Sequence, residues 1–240
     1  MTFDQAESDI RCEWGEDGVA ALASISDAVI IVDLMSFSTA VVIAVSRGAC
    51  VYACRWNDES TLSFAQHVGA ELVGARNKTK YSLSPASLMT IPKGTRLVLP
   101  SRNGSTLSMS TGATPTFAGC LRNAQAVAQA ASRHGNRIAV IPCGERWTDS
   151  ERLRPAVEDL VGAGAIISHL AGSRSPEAEI AVRAYRAAEH DLPGFLRQCS
   201  SGKELIAAGF EEDVSFTAEL SVDDCAPILV DGAYVRMTRE

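Results

Sequence analysis

Short, continuous apolar runs recur along the chain, and between them lie segments with helical spacing. This alternation restricts the fold more than any other feature. The runs are DAVIIVD (27–33), ACVYACRW (49–56), AELVGAR (70–76), GTRLVLP (94–100), GNRIAVIPC (135–143) and APILVDGAYVRM (226–237). Most lack the apolar–polar alternation of a half-exposed strand, which marks strands covered on both faces. Helical spacing is found over 38–48, 58–69, 121–135, 154–170, 175–199 and 201–210, and several of these segments end in glycine, a helix stop signal. Strands and helices taking turns in this way predict an α/β fold, a mostly parallel sheet with helices on both faces. The break at 171–176 is too short for a boundary and no internal repeat is present, so residues 1–240 are expected to form one domain.

Composition narrows the partners. A net charge of −7 and the absence of a basic run exclude the phosphate-backbone footprint that nucleic-acid binding needs. No apolar stretch is long enough to predict a membrane span, and the acidic start MTFDQAESDIRCEWGEDG does not read as a signal peptide. Seven cysteines at irregular spacing fit reduced thiols in a cytoplasmic protein better than a disulfide framework. The expected partners are small molecules and further copies of the chain. A homo-oligomer is expected because the last helices and the final strand have no evident role inside the fold.

In open α/β sheets, ligands bind beyond the carboxyl ends of the strands. Three such ends here are polar: DLMSFST after 32, SRNGSTLS after 100 and CGERW after 142. One crevice could therefore collect Asp33, Ser36, Ser38, Thr39, Ser101, Asn103, Gly104, Ser105, Thr106 and Glu145. Asp33 suits a hard oxygen ligand for Mg²⁺ or a group that orients water, and it equally suits a helix N-cap. The backbone of 104–106 could cradle a phosphate at a helix start, or form a plain Asn-Gly turn. Glu158 and Asp159 open an apolar helix. Neighbouring positions lie about 100° apart around a helix, so one acid is expected to face the site and the other solvent or a cap.

Other phosphoryl chemistries are disfavoured. An aspartate nucleophile at a strand end usually has a second aspartate two residues on, and that position is Met35. A thiolate nucleophile would need an arginine six residues downstream, where Cys143 has Asp149 and Cys50 has Trp56. The four histidines have no metal or triad spacing, and no Gly-x-Ser-x-Gly elbow is present.

The order of several motifs resembles the 2-phosphosulfolactate phosphatase family, the ComB-like proteins. These motifs are the strand with Asp33 and Thr39, Gly-x-Arg at 74–76, Ser84-Pro85, Asn-Gly-Ser-Thr at 103–106, AGCLRNAQAVA at 118–128 and EDLVGAGAII at 158–167. The resemblance covers most of the chain and is weakest after about residue 175. It implies a three-layer α/β/α fold and Mg²⁺-dependent hydrolysis of a small anionic phosphate ester, 2-phosphosulfolactate giving sulfolactate on the route to coenzyme M. Three positions depart from the family pattern: Ser36 stands where an arginine is usual, Ala75 where a glutamate is, and Leu83 where an asparagine is. Loss of a guanidinium removes a planar donor fork for an anion, and Arg76, Arg102 or Arg146 could replace it.

The expected mechanism has Asp33 and one of Glu158 or Asp159 holding Mg²⁺. Ser38, Thr39 and the 101–106 turn bind phosphate oxygens, Ser36, Arg76 and Ser84 complete the substrate pocket, and Glu145 is an acid or base. The alternative is a non-catalytic binder of a phosphorylated or sulfonated metabolite, favoured by the three departures.

Overall fold

The computed structural model describes residues 2–55 and 58–237. Its strands are β1 (Ile10–Cys12), β2 (Ala28–Val32), β3 (Cys50–Cys54), β4 (Glu71–Leu72), β5 (Arg96–Pro100), β6 (Thr116–Gly119), β7 (Ile138–Pro142), β8 (Glu145–Arg146), β9 (Leu153–Arg154), β10 (Pro227–Val230) and β11 (Ala233–Arg236). The helices are α1 (Gly15–Leu22), α2 (Phe37–Ser46), α3 (Asp58–Val68), α4 (Pro85–Leu88), α5 (Gly104–Ser108), α6 (Ala124–Ala131), α7 (Val157–Ile167), α8 (Pro176–Ala188), α9 (Leu192–Gln198), α10 (Ser200–Ala207) and α11 (Glu211–Thr217). Trp56, at the end of the expected 49–56 strand, lies outside the described residues. No helix among the described residues is long and apolar enough to cross a membrane.

The large sheet has the order β1-β7-β2-β6-β10-β11-β3-β5-β4, and β8 and β9 pair as a separate ribbon. Helices cover both faces, giving the three-layer α/β/α arrangement. Ile30 and Val32 of β2 face a core with Val161, Ile166 and Val182, while Val29 and Ile31 face Val19, Leu22 and Leu107. The strand is buried at every position because each face has its own helical layer.

The sheet consists of two parallel groups joined by an antiparallel hairpin. β1, β7, β2 and β6 pair in parallel, as do β3, β5 and β4. Between them β10 and β11 pair antiparallel with each other and with β6 and β3, so the second group runs against the first. The expected single strand over 226–237 is therefore a hairpin. Asp231 and Gly232 both take positive φ, 49° and 79°. That is the geometry for which Asp-Gly is a strong two-residue turn signal. The hairpin sits at the centre of the sheet, and α8 to α11 contribute Val182, Leu196, Leu205 and Val214 to the main core. The C-terminal segments thus have an internal role, which removes the reason for expecting an oligomer.

The sheet also curls. Four strands separate β2 from β5 in the order above, or about 24 Å in a flat sheet at ~4.8 Å per step. Yet the Gly104 amide, just beyond β5, donates to Asp33 Oδ2, just beyond β2, at 2.9 Å. The space inside the curl holds α2, in which residues 37–45 are all 0% exposed. FSTAVVIAVS is apolar around its whole circumference, as a helix enclosed on all sides must be.

Candidate active site

Asp33 ends β2 and is buried between the first turns of two helices. Its Oδ1 accepts the Phe37 amide of α2 at 3.2 Å and its Oδ2 accepts the Gly104 amide of α5 at 2.9 Å. The Ser101 hydroxyl lies 3.5 Å from the same Oδ2. A Cβ at position 104 would stand 2.3 Å from Phe37 Cδ1 and 2.9 Å from Asp33 Oδ2, so only glycine admits this approach. The amide expected to cradle a phosphate is thus occupied by the aspartate.

Glu158 and Asp159 are both buried, at 1% and 3% exposure, so neither faces solvent as expected for one of them. Their environments differ. Asp159 Oδ1 accepts the Leu34 amide at 2.8 Å and Oδ2 accepts the Gly144 amide at 2.9 Å, which clamps the loops after β2 and β7 together. Glu158 Oε2 has no hydrogen-bond partner. Glu145, on β8, accepts the Asn103 side-chain amide at 2.9 Å. A cavity of about 460 Å³ opens beside this pair, lined by Arg102, Asn103, Glu145, Arg146 and Trp147 among others.

These four carboxylates form one electrostatic group. Burial first, then repulsion from Asp33, raises Glu145 to about 7. Burial raises Asp33, against the pull of the Gly104 and Phe37 amides. Asp159 is pushed well above the carboxylate range by burial and by Asp33 and Glu158. Asp33, Glu145 and Asp159, raised by burial and by neighbouring negative charge, are a ready partner for a cation.

Two of the expected phosphate ligands instead brace the loop after β2. The Ser38 hydroxyl donates to the Ile31 carbonyl at 3.0 Å and accepts the Asp33 amide at 3.0 Å; Thr39 donates to the Leu34 carbonyl at 2.9 Å. Ser105 and Thr106 are similarly engaged. Ser105 exchanges hydrogen bonds with the Cys54 main chain at 2.6 and 2.7 Å, and Thr106 donates to the Ser101 carbonyl at 3.0 Å. Ser101 and Asn103 are the residues of this turn whose side chains stand beside the acids.

Arg76 is the arginine that reaches the Ser36 position. Its Nη2 donates to Ser36 Oγ at 2.8 Å, so a guanidinium reaches the loop after β2 at this position. Its Nε lies 3.5 Å from Asp213 Oδ2, an ion pair too long for a hydrogen bond, and its plane covers the Phe210 ring at 5.3 Å. Ser84 donates to Asp213 Oδ1 at 2.6 Å and does not face the acids directly. Arg146 instead pairs with Glu16 at 2.6 Å, Arg102 and Ala75 are exposed, and Leu83 packs at the edge of the α2 core. Sequence reasoning missed Asp213: it lies in the acidic run EEDV, which resembles any solvated helix start.

Among the described residues, no three acidic, histidine or cysteine side chains converge so as to hold a metal ion by themselves. The donor chemistry nonetheless fits Mg²⁺, which takes one or two carboxylates and completes its shell with water and substrate oxygens. The unpartnered, buried Glu158 oxygen among like charges is the observation that carries this fit.

An α/β fold whose strand ends gather buried acids beside a held arginine fits an enzyme acting on a small anionic substrate. The sequence model of the family described as 2-phosphosulpholactate phosphatase matches residues 18–232, and the chain belongs to that family. It is similar to a probable 2-phosphosulfolactate phosphatase of Carboxydothermus hydrogenoformans, with 32% identity over 83% of this chain and 85% of that protein. It is also similar to a 2-phosphosulfolactate phosphatase of Methanocaldococcus jannaschii, with 26% identity over 81% of this chain and 85% of that one. Membership makes the chain a phosphoric monoester hydrolase.

Proposed function

We propose that the protein is a Mg²⁺-dependent phosphatase that hydrolyses 2-phosphosulfolactate, or a close phosphorylated hydroxy acid, to the free hydroxy acid and phosphate. The mutual electrostatic influence of Asp33, Glu145, Glu158 and Asp159, brought together from three separate segments of the chain, carries this reading. Asp33 and Glu158 would hold the ion, Glu158 through its unpartnered oxygen. When bound, the ion supplies charge neutralisation at the phosphoryl oxygens and at the attacking water.

The remaining steps belong to the chain's own groups. Glu145, half-protonated near neutral pH and oriented by Asn103, moves a proton between the water and the departing hydroxyl. Water forms the new bond to phosphorus as the bond to the ester oxygen breaks, and that oxygen leaves with a proton as the hydroxyl. Asp159 holds the Leu34 and Gly144 amides, which fixes the two loops that carry Asp33 and Glu145. Arg76 at Ser36 offers its free edge to the anionic group that is not transferred. A cytoplasmic setting, in keeping with seven cysteines that are all free, is part of the same proposal.

The test is phosphate release from 2-phosphosulfolactate and from a panel of phosphorylated hydroxy acids, with Mg²⁺ and with a chelator. Release that depends on Mg²⁺ and favours substrates with a second anionic group is expected. Equal release with chelator present would remove the ion from the mechanism, and no release from any member would remove the substrate class.

A further inference from the structure

Asp213 has no place in the acid cluster, yet it is a carboxylate at 1% exposure on α11, far along the chain from every motif of the site. Its Oδ1 is fully engaged, accepting the Ser84 hydroxyl at 2.6 Å and the Ala86 amide at 3.1 Å. Its Oδ2 is buried without a hydrogen bond and points to Arg76 Nε, itself buried and unbonded, at 3.5 Å. Phe210, immediately before α11, lies under the same guanidinium.

The inner edge of the guanidinium thus meets a carboxylate and its face an aromatic ring, while its outer end reaches Ser36, three residues after Asp33. A buried charge opposite an arginine fixes where its planar donor fork points, which matters when the fork must meet an anion with two parallel hydrogen bonds. A carboxylate behind the arginine serves this end. One in front would repel the anion.

We propose that Asp213 is a positioning residue for Arg76, and that the Asp213–Arg76–Ser36 line fixes the substrate's second, non-transferred anionic group. This rests on the phosphatase reading above, since it concerns the same pocket. Ser84 and Ala86 tie the segment after the Gly-x-Arg motif to α11, so the C-terminal helices set the substrate preference of a centre built by distant strands.

The experiment measures binding of two probes, sulfolactate and inorganic phosphate, by titration calorimetry to the Mg²⁺-loaded protein, its D213N and R76K variants, and the double variant. Asp213→Asn retains an oxygen for Ser84 and Ala86 and removes the charge facing Arg76. Sulfolactate affinity is expected to fall about tenfold in D213N and in R76K, and no further in the double variant, because coupled residues are not additive. Phosphate affinity is expected to stay within about twofold of wild type.

A purely structural Asp213 would weaken both probes alike, or neither, and that result would overturn the assignment. Additive losses in the double variant would overturn it as well. Failure of the wild type to bind sulfolactate while it binds phosphate would overturn the substrate class on which both readings stand. The phosphate-release assay on D213N gives the kinetic counterpart: KM rises more for a substrate with a second anion than for p-nitrophenyl phosphate, and a rise of equal size for both would overturn the assignment.

Discussion

The two sides of the crevice are held by different means. On the acidic side, carboxylates accept main-chain amides: Asp33 takes Phe37 and Gly104, and Asp159 takes Leu34 and Gly144. On the other side, Arg76 is held by side chains, namely Ser36, Asp213 and Phe210. Backbone donors fix a position rigidly and accept little change, because their own loops would have to move. Side-chain partners can be exchanged by single substitutions that leave the main chain in place. The first arrangement suits the chemistry that a family shares, and the second suits substrate preference, which can change within it.

The sharpest way to break this contrast is at Asp33. Asp33→Asn is expected to lower phosphate release on the order of 10²–10³-fold, the effect of losing one preorganised electrostatic group at a reaction centre. A variant with steady-state rates near wild type would move the chemistry elsewhere. Next in size is a stability difference between adjacent acids. Asp159→Ala strands two buried amides, at about 1–3 kcal/mol each, whereas Glu158→Gln removes a charge from an oxygen without a partner. Urea denaturation should therefore show a large loss for the first and little or none for the second; similar losses would erase the distinction between clamp and ligand.

The pH dependence follows from the raised carboxyls. Glu145 lies at about 7 in the folded protein against 4.5 ordinarily. The folded state therefore keeps a proton that the unfolded state has lost between those values. The part of the stability that depends on Glu145 should fall as pH rises from about 4.5 to about 7. Asp33 and Asp159, also raised, act in the same direction. Glu145→Gln should flatten this fall, and unfolding midpoints measured across the range in metal-free buffer test it. The smallest effect is at Ser105. Because its hydroxyl clips α5 to β3 through Cys54, Ser105→Ala should cost about 1 kcal/mol and leave KM unchanged. A raised KM would restore Ser105 as a phosphate ligand.

How far the sequence discloses this depends on how local the cause is. The burial of β2 and the carboxylate at its end are legible, because an apolar run of five residues and a following acid are both features of one segment. So is the Asn-Gly-Ser-Thr turn with its short helix. The partners of its hydroxyls are not. Ser38, Thr39, Ser105 and Thr106 all have main-chain acceptors, and spacing does not distinguish a serine that binds backbone from one that binds phosphate. The central hairpin is hidden for another reason: Asp-Gly at 231–232 announces a turn, but nothing local says that the pair inserts between β6 and β3. Asp213 is the extreme case, 137 positions from Arg76 in the numbering, and only the folded chain brings it there.

The central claim is that the four acids act as one charged centre that takes a divalent ion. Calorimetric titration of the metal-free protein with Mg²⁺ near pH 7, in buffers of different ionisation enthalpy, tests it most directly. The account predicts saturable binding of a single ion with release of protons from the raised carboxyls, and loss of that binding in Glu158→Gln. Binding without proton release, or unchanged binding in Glu158→Gln, would contradict it.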